Sequence, residues 1–460
     1  MKRESIWHKS VKMPEFPPLA ADEKADVAII GGGVTGLLTA HFLREKGVRA
    51  LILEADRLCS GQTGRTTAKI TSQHDLIYAD LLERLGESAT AQYARANEEA
   101  VAEYARIIEK GRIACDFVPC DAYLYSQTES APLEQEAEAA RQLGIAADFT
   151  RENELPFPIA GAVRFRNQAR FHPLKFLRAI AEGLNVREHT RVLSVEDDCI
   201  RTESGAVTAE HIVFASHYPF INAPGFYFAR MHQERSYVLA LENAWLPAHV
   251  HLGVDADGLS LRTAEGLLLL GGGSHRTGEN EGGKYDALRD AARTLFPGSR
   301  EVACWSAQDC VTVDRIPCIG QYARAQPRWY VATGFAKWGM TSAMVSARII
   351  AGMIAGDTPD YADIFSPQRP VISADNMKPL LDEAGHALRN LAKVTPAPRC
   401  RHLGCELSWN PDEDSWDCPC HGSRYTLEGE LLDGPAQMPF RKPLICLPCA
   451  AFFPKRMNIP

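Results

Sequence analysis

The stretch from Asp26 to Glu54 narrows the fold more than any other part of the chain. Asp26-Val27-Ala28-Ile29-Ile30 is a short apolar run that suits a buried strand. Gly31-Gly32-Gly33-Val34-Thr35-Gly36 follows it. Residues Leu37, Leu38, Ala40, His41, Leu43 and Arg44 then continue in a helical pattern, and a second run, Ala50–Leu53, ends in Glu54. This is β–turn–α–β in about thirty residues, the unit that holds a dinucleotide. Gly31 permits the tight turn, Gly33 lets the backbone approach a pyrophosphate, and Gly36 allows close helix–strand packing. The helix N-terminus at Val34 and Thr35 offers N–H groups and a positive dipole end to phosphate. Glu54 is placed to accept from ribose hydroxyls. The pattern alone does not separate FAD from NAD.

At 460 residues the chain has room for two or three domains. A net charge of −8 argues against a nucleic-acid partner. No run approaches the length of apolar residues that a membrane span requires, and residues 1–25 lack the apolar block of a signal peptide. A cytoplasmic protein is expected. Met13–Ala21 is Pro-rich and reads as an extended arm.

Three further segments resemble the D-amino-acid-oxidase-like (DAO) family of FAD-dependent oxidoreductases. Gly64-Arg65-Thr66-Thr67-Ala68-Lys69-Ile70-Thr71 is similar to that family's flavin-contacting segment, which implies contacts from Arg65, Thr66 and Thr67. Phe214-Ala215-Ser216-His217-Tyr218-Pro219 resembles its second strand-end motif, with Ala215 implied at the cofactor. Thr333-Gly334-Phe335-Ala336-Lys337-Trp338-Gly339-Met340-Thr341 resembles its closing flavin motif, which implies Gly334, Gly339, Met340 and Thr341. The resemblance runs in family order from Asp26 to Pro367 and implies FAD. It also implies that the Gly-rich turn of the last motif aims N–H groups at the flavin edge where negative charge collects on reduction. Lys337 is a candidate to add positive charge there; the other reading is a solvated loop lysine.

Substrate contacts are less legible. Arg235 and Tyr237 lie two apart on an expected strand and would face one side, where they could clamp a carboxylate. A structural ion pair is the alternative for Arg235. His172, before an expected helix at Pro173, reads as a cap. No Ser/His/Asp grouping stands out. The resemblance implies none is needed, because hydride passes from a C–N carbon to flavin N5.

The C-terminal 61 residues hold six of the thirteen cysteines, the pattern of a metal site. Cys400-Arg401-His402 and Cys418-Pro419-Cys420-His421 supply two thiolates and two imidazoles in an order that suits an asymmetric [2Fe–2S] cluster. Zinc would use the same residue types, and Cys446-Leu447-Pro448-Cys449 makes it conceivable. The runs Cys400–Cys405 and Cys418–Ser423 resemble the two cluster-binding loops of Rieske proteins, and Gly434-Pro435-Ala436 resembles their covering loop. The resemblance implies ligation by Cys400, His402, Cys418 and His421, with a disulfide between Cys405 and Cys420. Two departures stand out. Arg401 occupies the usual threonine position, and a helical pattern at Leu380–Leu391 replaces the expected early strands, so the supporting sheet looks shortened.

The expected architecture is α/β: a Rossmann-type FAD-binding domain interleaved with a mixed-sheet substrate domain, plus a small all-β Rieske-like module. The expected boundaries are an arm over 1–25, the flavin unit over 26–365, a linker over 366–399 and the cluster module over 400–460. The expected activity is oxidation of a C–N bond in a small amine or amino acid, with electrons passing from FAD to the cluster and on to an unknown acceptor. A non-catalytic flavin/iron–sulfur carrier or redox sensor is the alternative.

Overall fold

The computed structural model describes residues 3–370, 374–393 and 396–440. The glycine-rich unit forms as the sequence demands. Strand Glu23–Ile30 runs into the turn, helix Val34–Glu45 follows, and strand Ala50–Leu53 pairs parallel with the first. Strand Ala206–Phe214 pairs parallel on the other side, and Gln326–Thr333 extends the parallel set. Cys318–Ala323 closes this eight-stranded sheet with an antiparallel hairpin edge. The near-continuous apolar runs of Val27–Ile30 and Leu51–Leu53 are buried because helices cover the parallel strands. Helix Gly339–Ala355, apolar on nearly every face, packs beside Val34–Glu45.

A second, mixed sheet of nine strands lies in the segments between these elements. Its main path runs Arg300–Thr312, Met231–Glu242, Leu267–Arg276, Ser260–Ala264, Val250–Gly253, Val118–Ser126, Gly161–Arg170 and Lys69–Ile70. Because the chain crosses repeatedly from one sheet to the other, the two halves are interleaved. Residues 3–22 lie along this body, with helix Ile6–Ser10 burying Trp7 completely. The Pro-rich segment after it is extended, and Phe16 and Leu19 donate their N–H groups to Glu188 and Thr190.

The C-terminal part folds as a four-stranded antiparallel meander, Ser408–Asn410, Ser415–Asp417, Arg424–Tyr425 and Leu431–Asp433. The shortened sheet is real among the described residues: only an isolated bridge, Arg399 to Glu406, accompanies the first cysteine loop. The leucine pattern before it forms helix Ala374–Ala392, with Pro379 inside it. Cys446 and Cys449 lie outside the described residues.

Candidate functional site

One large cavity, about 1160 Å³, opens between the two sheets of the main body. Its wall includes Gly31, Gly33, Val34, Thr35, Glu54, Arg65, Thr66, Thr67, Ala215, Gly339 and Met340. Gly36, Gly334 and Thr341 stand behind this wall. A Cβ on Gly36 would collide with the Gly31 carbonyl, and one on Gly334 with the Thr312 methyl. Thr341 bonds His74 and the Thr71 carbonyl. Gly31, at φ +115, carries its backbone so close to Ala215 that a Cβ would lie 2.5 Å from that carbonyl oxygen. Glycine at 31, 36 and 334 therefore lets the elements of the cradle pack this closely. Glu54 is half-buried, and its surroundings raise its carboxyl pKa by desolvation; it accepts from Gly32 N at 2.6 Å and Asp56 N at 2.9 Å.

The closing turn is built on two consecutive left-handed residues, Ala336 and Lys337, with Ala336 N donating to the Cys310 carbonyl. Lys337 lines the cavity, and its ammonium lies 2.6 Å from a Glu234 carboxylate oxygen while bonding Ser274. Its positive charge is thus balanced locally. A hydrogen bond from His232, with Lys337 beside it, holds Glu234 well below the usual carboxylate range despite burial. The charges alternate onward: His232 Nδ1 lies 2.9 Å from Glu383, which takes a paired contact from Arg276, whose Nε donates to the Pro419 carbonyl at 3.2 Å.

Arg235 and Tyr237 separate. Tyr237 reaches the cavity wall, with its hydroxyl on His275 at 3.0 Å and Asn280 at 3.0 Å. Arg235 is completely buried and does not line the cavity. It donates to Ser306 at 2.5 Å and Gln308 at 2.7 Å and lies near Glu413 and Asp417 of the cysteine–histidine module. The structural ion pair is what the guanidinium makes. His172 caps helix Pro173–Ala181 through Nδ1, as its position suggests.

In the C-terminal module, Cys400, Cys418 and His421 are buried, and the His402 and His421 rings meet edge-to-face with centroids 4.9 Å apart. Burial drives both imidazoles toward the neutral form, His402 down to about 3 and His421 down to about 4. Both are further committed through Nε2 or its backbone partner: His402 Nε2 donates to Asn222 Oδ1 at 2.7 Å, and the His421 ring bonds the Phe228 backbone. The two Nδ1 atoms are buried without a partner. Two neutral imidazoles with free Nδ1 lone pairs, beside two sulfurs, are the donor set of an asymmetric [2Fe–2S] cluster. Among the described residues, no three of these four ligand atoms lie within 4.8 Å of one another. One tetrahedral zinc would draw them closer, since its bonds are only about 2.0–2.3 Å long. The compact trio that does form, Cys405, Cys418 and Cys420, contains the disulfide Cys405–Cys420 that ties the two loops together. Tyr425 places its hydroxyl 3.6 Å from the Cys400 sulfur and accepts from Arg401 N. Ala436, in the covering loop, donates its N–H to Ser423.

The module is docked on the main body by buried polar contacts. Gln233 donates to the His421 carbonyl at 2.7 Å and Gln308 to the Gly422 carbonyl at 2.9 Å. Asn280 donates to Asn410, and Gly278 comes so close to Pro419 that a Cβ would lie 2.6 Å from its nitrogen. Sequence reasoning missed Asn222, Phe228, Gln233, Gln308 and Tyr425. Each acts by tertiary placement and carries no local signal. Among the described residues no helix is long and apolar enough to cross a membrane.

Comparison with known proteins places both parts. A family model described as "FAD dependent oxidoreductase" matches residues 26–353, and one described as "Rieske [2Fe-2S] domain" matches residues 394–449. A curated Bacillus subtilis protein, "Putative Rieske 2Fe-2S iron-sulfur protein YhfW", is 34% identical, covering 95% of this chain and 97% of its own. Escherichia coli "Gamma-glutamylputrescine oxidoreductase" is 23% identical over 77% of this chain and 89% of its own. Among solved structures, glycine oxidase from Geobacillus kaustophilus shares the fold with a TM-score of 0.65 at 19% identity, covering 76% of this chain and all of that one. The chain is a member of the FAD-dependent oxidoreductase family of D-amino-acid-oxidase type, and it carries a C-terminal Rieske [2Fe–2S] domain.

Proposed function

We propose that this oxidoreductase removes hydride from a C–N carbon of a small amine or amino acid and passes the electrons to its own cluster. Bound FAD supplies hydride acceptance, and a bound [2Fe–2S] centre supplies one-electron acceptance. The single observation that carries the reading is the docking of the cluster module with its histidine edge turned inward, on the segment Tyr218–Phe228 that leaves the cavity wall. Gly31, Gly33, Val34, Thr35, Gly36, Glu54, Arg65, Thr66, Thr67, Ala215, Gly334, Gly339, Met340 and Thr341 hold FAD in this proposal. Cys400, His402, Cys418 and His421 hold the cluster. Glu234 and Lys337 form a neutral pair at the closing turn, while the Tyr237 hydroxyl is taken up by His275 and Asn280. Arg235 is spent at the domain junction, so any carboxylate on the substrate is met by another cation.

The same relationship to gamma-glutamylputrescine oxidoreductase and glycine oxidase favours amine or amino-acid substrates. Seven free cysteines in the flavin unit suit a reducing compartment, the cytoplasm. The test is an anaerobic screen of primary and secondary amines and amino acids, watched by loss of flavin absorbance. A compound that bleaches the flavin and then brings up the reduced-cluster EPR signal supports the proposal. Bleaching by none of them, in protein that holds both centres, would leave the electron-carrier reading instead.

A further inference from the structure

This inference rests on the proposed passage of electrons between the two centres and concerns the residue that carries it. Tyr218 is 2% exposed and forms part of the cavity wall. On its other side its ring meets both histidines of the cluster site, with centroids 6.5 Å from His402 at 76° and 6.3 Å from His421 at 65°. Among the described residues it is the one aromatic side chain that lines the cavity and touches both imidazoles. The hydroxyl is buried with no hydrogen-bond partner, so the ring is held by packing and not by a bond at its tip. The segment it begins also supplies Asn222, which bonds His402, and Phe228, whose ring lies 5.9 Å from that of His421. Gln233 and Gln308 fix the second cluster loop by bonding its carbonyls.

The geometry points to Tyr218 as the positioning residue through whose ring single electrons pass between the flavin site and the histidine edge of the cluster. Tunnelling falls steeply with the gap between groups, and a packed ring that touches both sides carries it better than a void. The accounting is one electron per step. A two-electron-reduced flavin loses one electron, and the diferric cluster gains it and becomes ferrous–ferric. The second electron follows after a one-electron oxidant has taken the first from the cluster, and the flavin's proton goes to solvent. Tyr218 itself is neither oxidised nor reduced in the balance.

The test uses full-length protein with FAD and iron quantified. Light with EDTA reduces the bound flavin anaerobically, and rapid freezing follows the cluster by EPR while absorbance follows the flavin. Tyr218→Leu, which replaces the ring by a shorter side chain and opens a gap beside both imidazoles, slows cluster reduction several-fold or more. Tyr218→Phe keeps the wild-type rate. Dithionite gives both variants the wild-type cluster spectrum, which separates slow transfer from cluster loss. If Tyr218→Leu fails to retain iron, Tyr218→Met, closer in length and flexible enough to fill the gap, takes its place. A Leu or Met variant that holds FAD and iron and reduces its cluster at the wild-type rate overturns the assignment. So does a Phe variant as slow as Leu, because the hydroxyl would then be the working group. Wild-type protein whose cluster stays oxidised beside fully reduced flavin refutes the proposed electron flow itself.

Discussion

Arg235 and Asp417, both fully buried, face each other at 3.9 Å across the junction between the flavin unit and the Rieske domain. Arg424 and Glu413 complete the group, with Arg424 3.1 Å from Asp417 and 3.2 Å from Glu413. Two cations and two carboxylates therefore balance inside the protein. An ion pair buried at this depth carries a large desolvation cost, and its charges are tolerable only together.

Removing one member should expose that dependence. Arg235→Met keeps length and apolar bulk but leaves Glu413 and Asp417 with Arg424 alone. We expect a loss of about 3–5 kcal/mol from the docked state. It would be read as a lower melting temperature of the cluster absorbance and as new tryptic cleavage within 366–399. Unchanged melting and cleavage would show that docking does not depend on this charge group.

The cradle makes a second prediction. Gly33 has φ −83 and ψ −171, a conformation any residue adopts, and its added Cβ would meet the Thr63 hydroxyl at 2.9 Å. Gly33→Val keeps an allowed backbone conformation once the Thr63 hydroxyl gives way, and its methyl groups crowd the space that a pyrophosphate needs. The purified variant should retain its far-ultraviolet CD and its iron but lose most of its flavin absorbance. Full flavin occupancy would show that the pyrophosphate does not lie over this turn.

The junction also responds to pH. His232 is buried, which opposes its charge, but hydrogen bonds to Glu234 and Glu383 outweigh that and raise its pKa above 6.5. Arg276 and Lys337 also face this cluster, one on each carboxylate. A raised imidazole pKa contributes stability that is full below the unfolded value and is lost as pH rises through the folded one. Glu383 works in the opposite direction, its pKa held down to about 2 by His232 and Arg276 against burial, so its contribution disappears on acidification below the usual 4.5. Docking should therefore be tightest between about pH 4.5 and 6.5. Melting of the cluster absorbance across pH 4 to 9 checks this, and His232→Gln should flatten the alkaline side. An unchanged alkaline limb in that variant would assign the loss to another group.

The fold and the two cofactor types were legible because their signals are local. A glycine turn between a strand and a helix, and two cysteine–histidine loops, are each read within a dozen residues. What escaped the sequence is what depends on placement. Arg235 and Tyr237, two apart on one strand, left a carboxylate clamp and a structural ion pair both open; the fold decides for the ion pair by placing Arg235 at the domain junction, and the strand pairing is irregular between the two residues. Asn222 and Gln233 look like ordinary polar residues until the Rieske domain settles on them. Helix Ala374–Ala392 reads as a spacer, but Glu383 joins it to Arg276 and His232.

The metal itself gives the last prediction. Among the described residues no three of the four ligand atoms gather within 4.8 Å, which suits two irons better than one zinc, so well-loaded protein prepared anaerobically should contain about two irons and negligible zinc per chain. His421→Ala removes one of the two imidazoles, while the flavin cavity keeps every wall residue. The variant should lose the reduced-cluster EPR signal and still have its flavin bleached by whatever substrate bleaches the wild type. The separation is physical: hydride transfer needs the substrate and flavin in contact, whereas in the proposed order the cluster takes electrons only afterwards. If His421→Ala keeps FAD but loses flavin reduction by substrate, the cluster has a part in the first half-reaction and the proposed order of electron flow fails. Stoichiometric zinc without iron would end the electron-transfer proposal altogether, because zinc has no accessible second oxidation state.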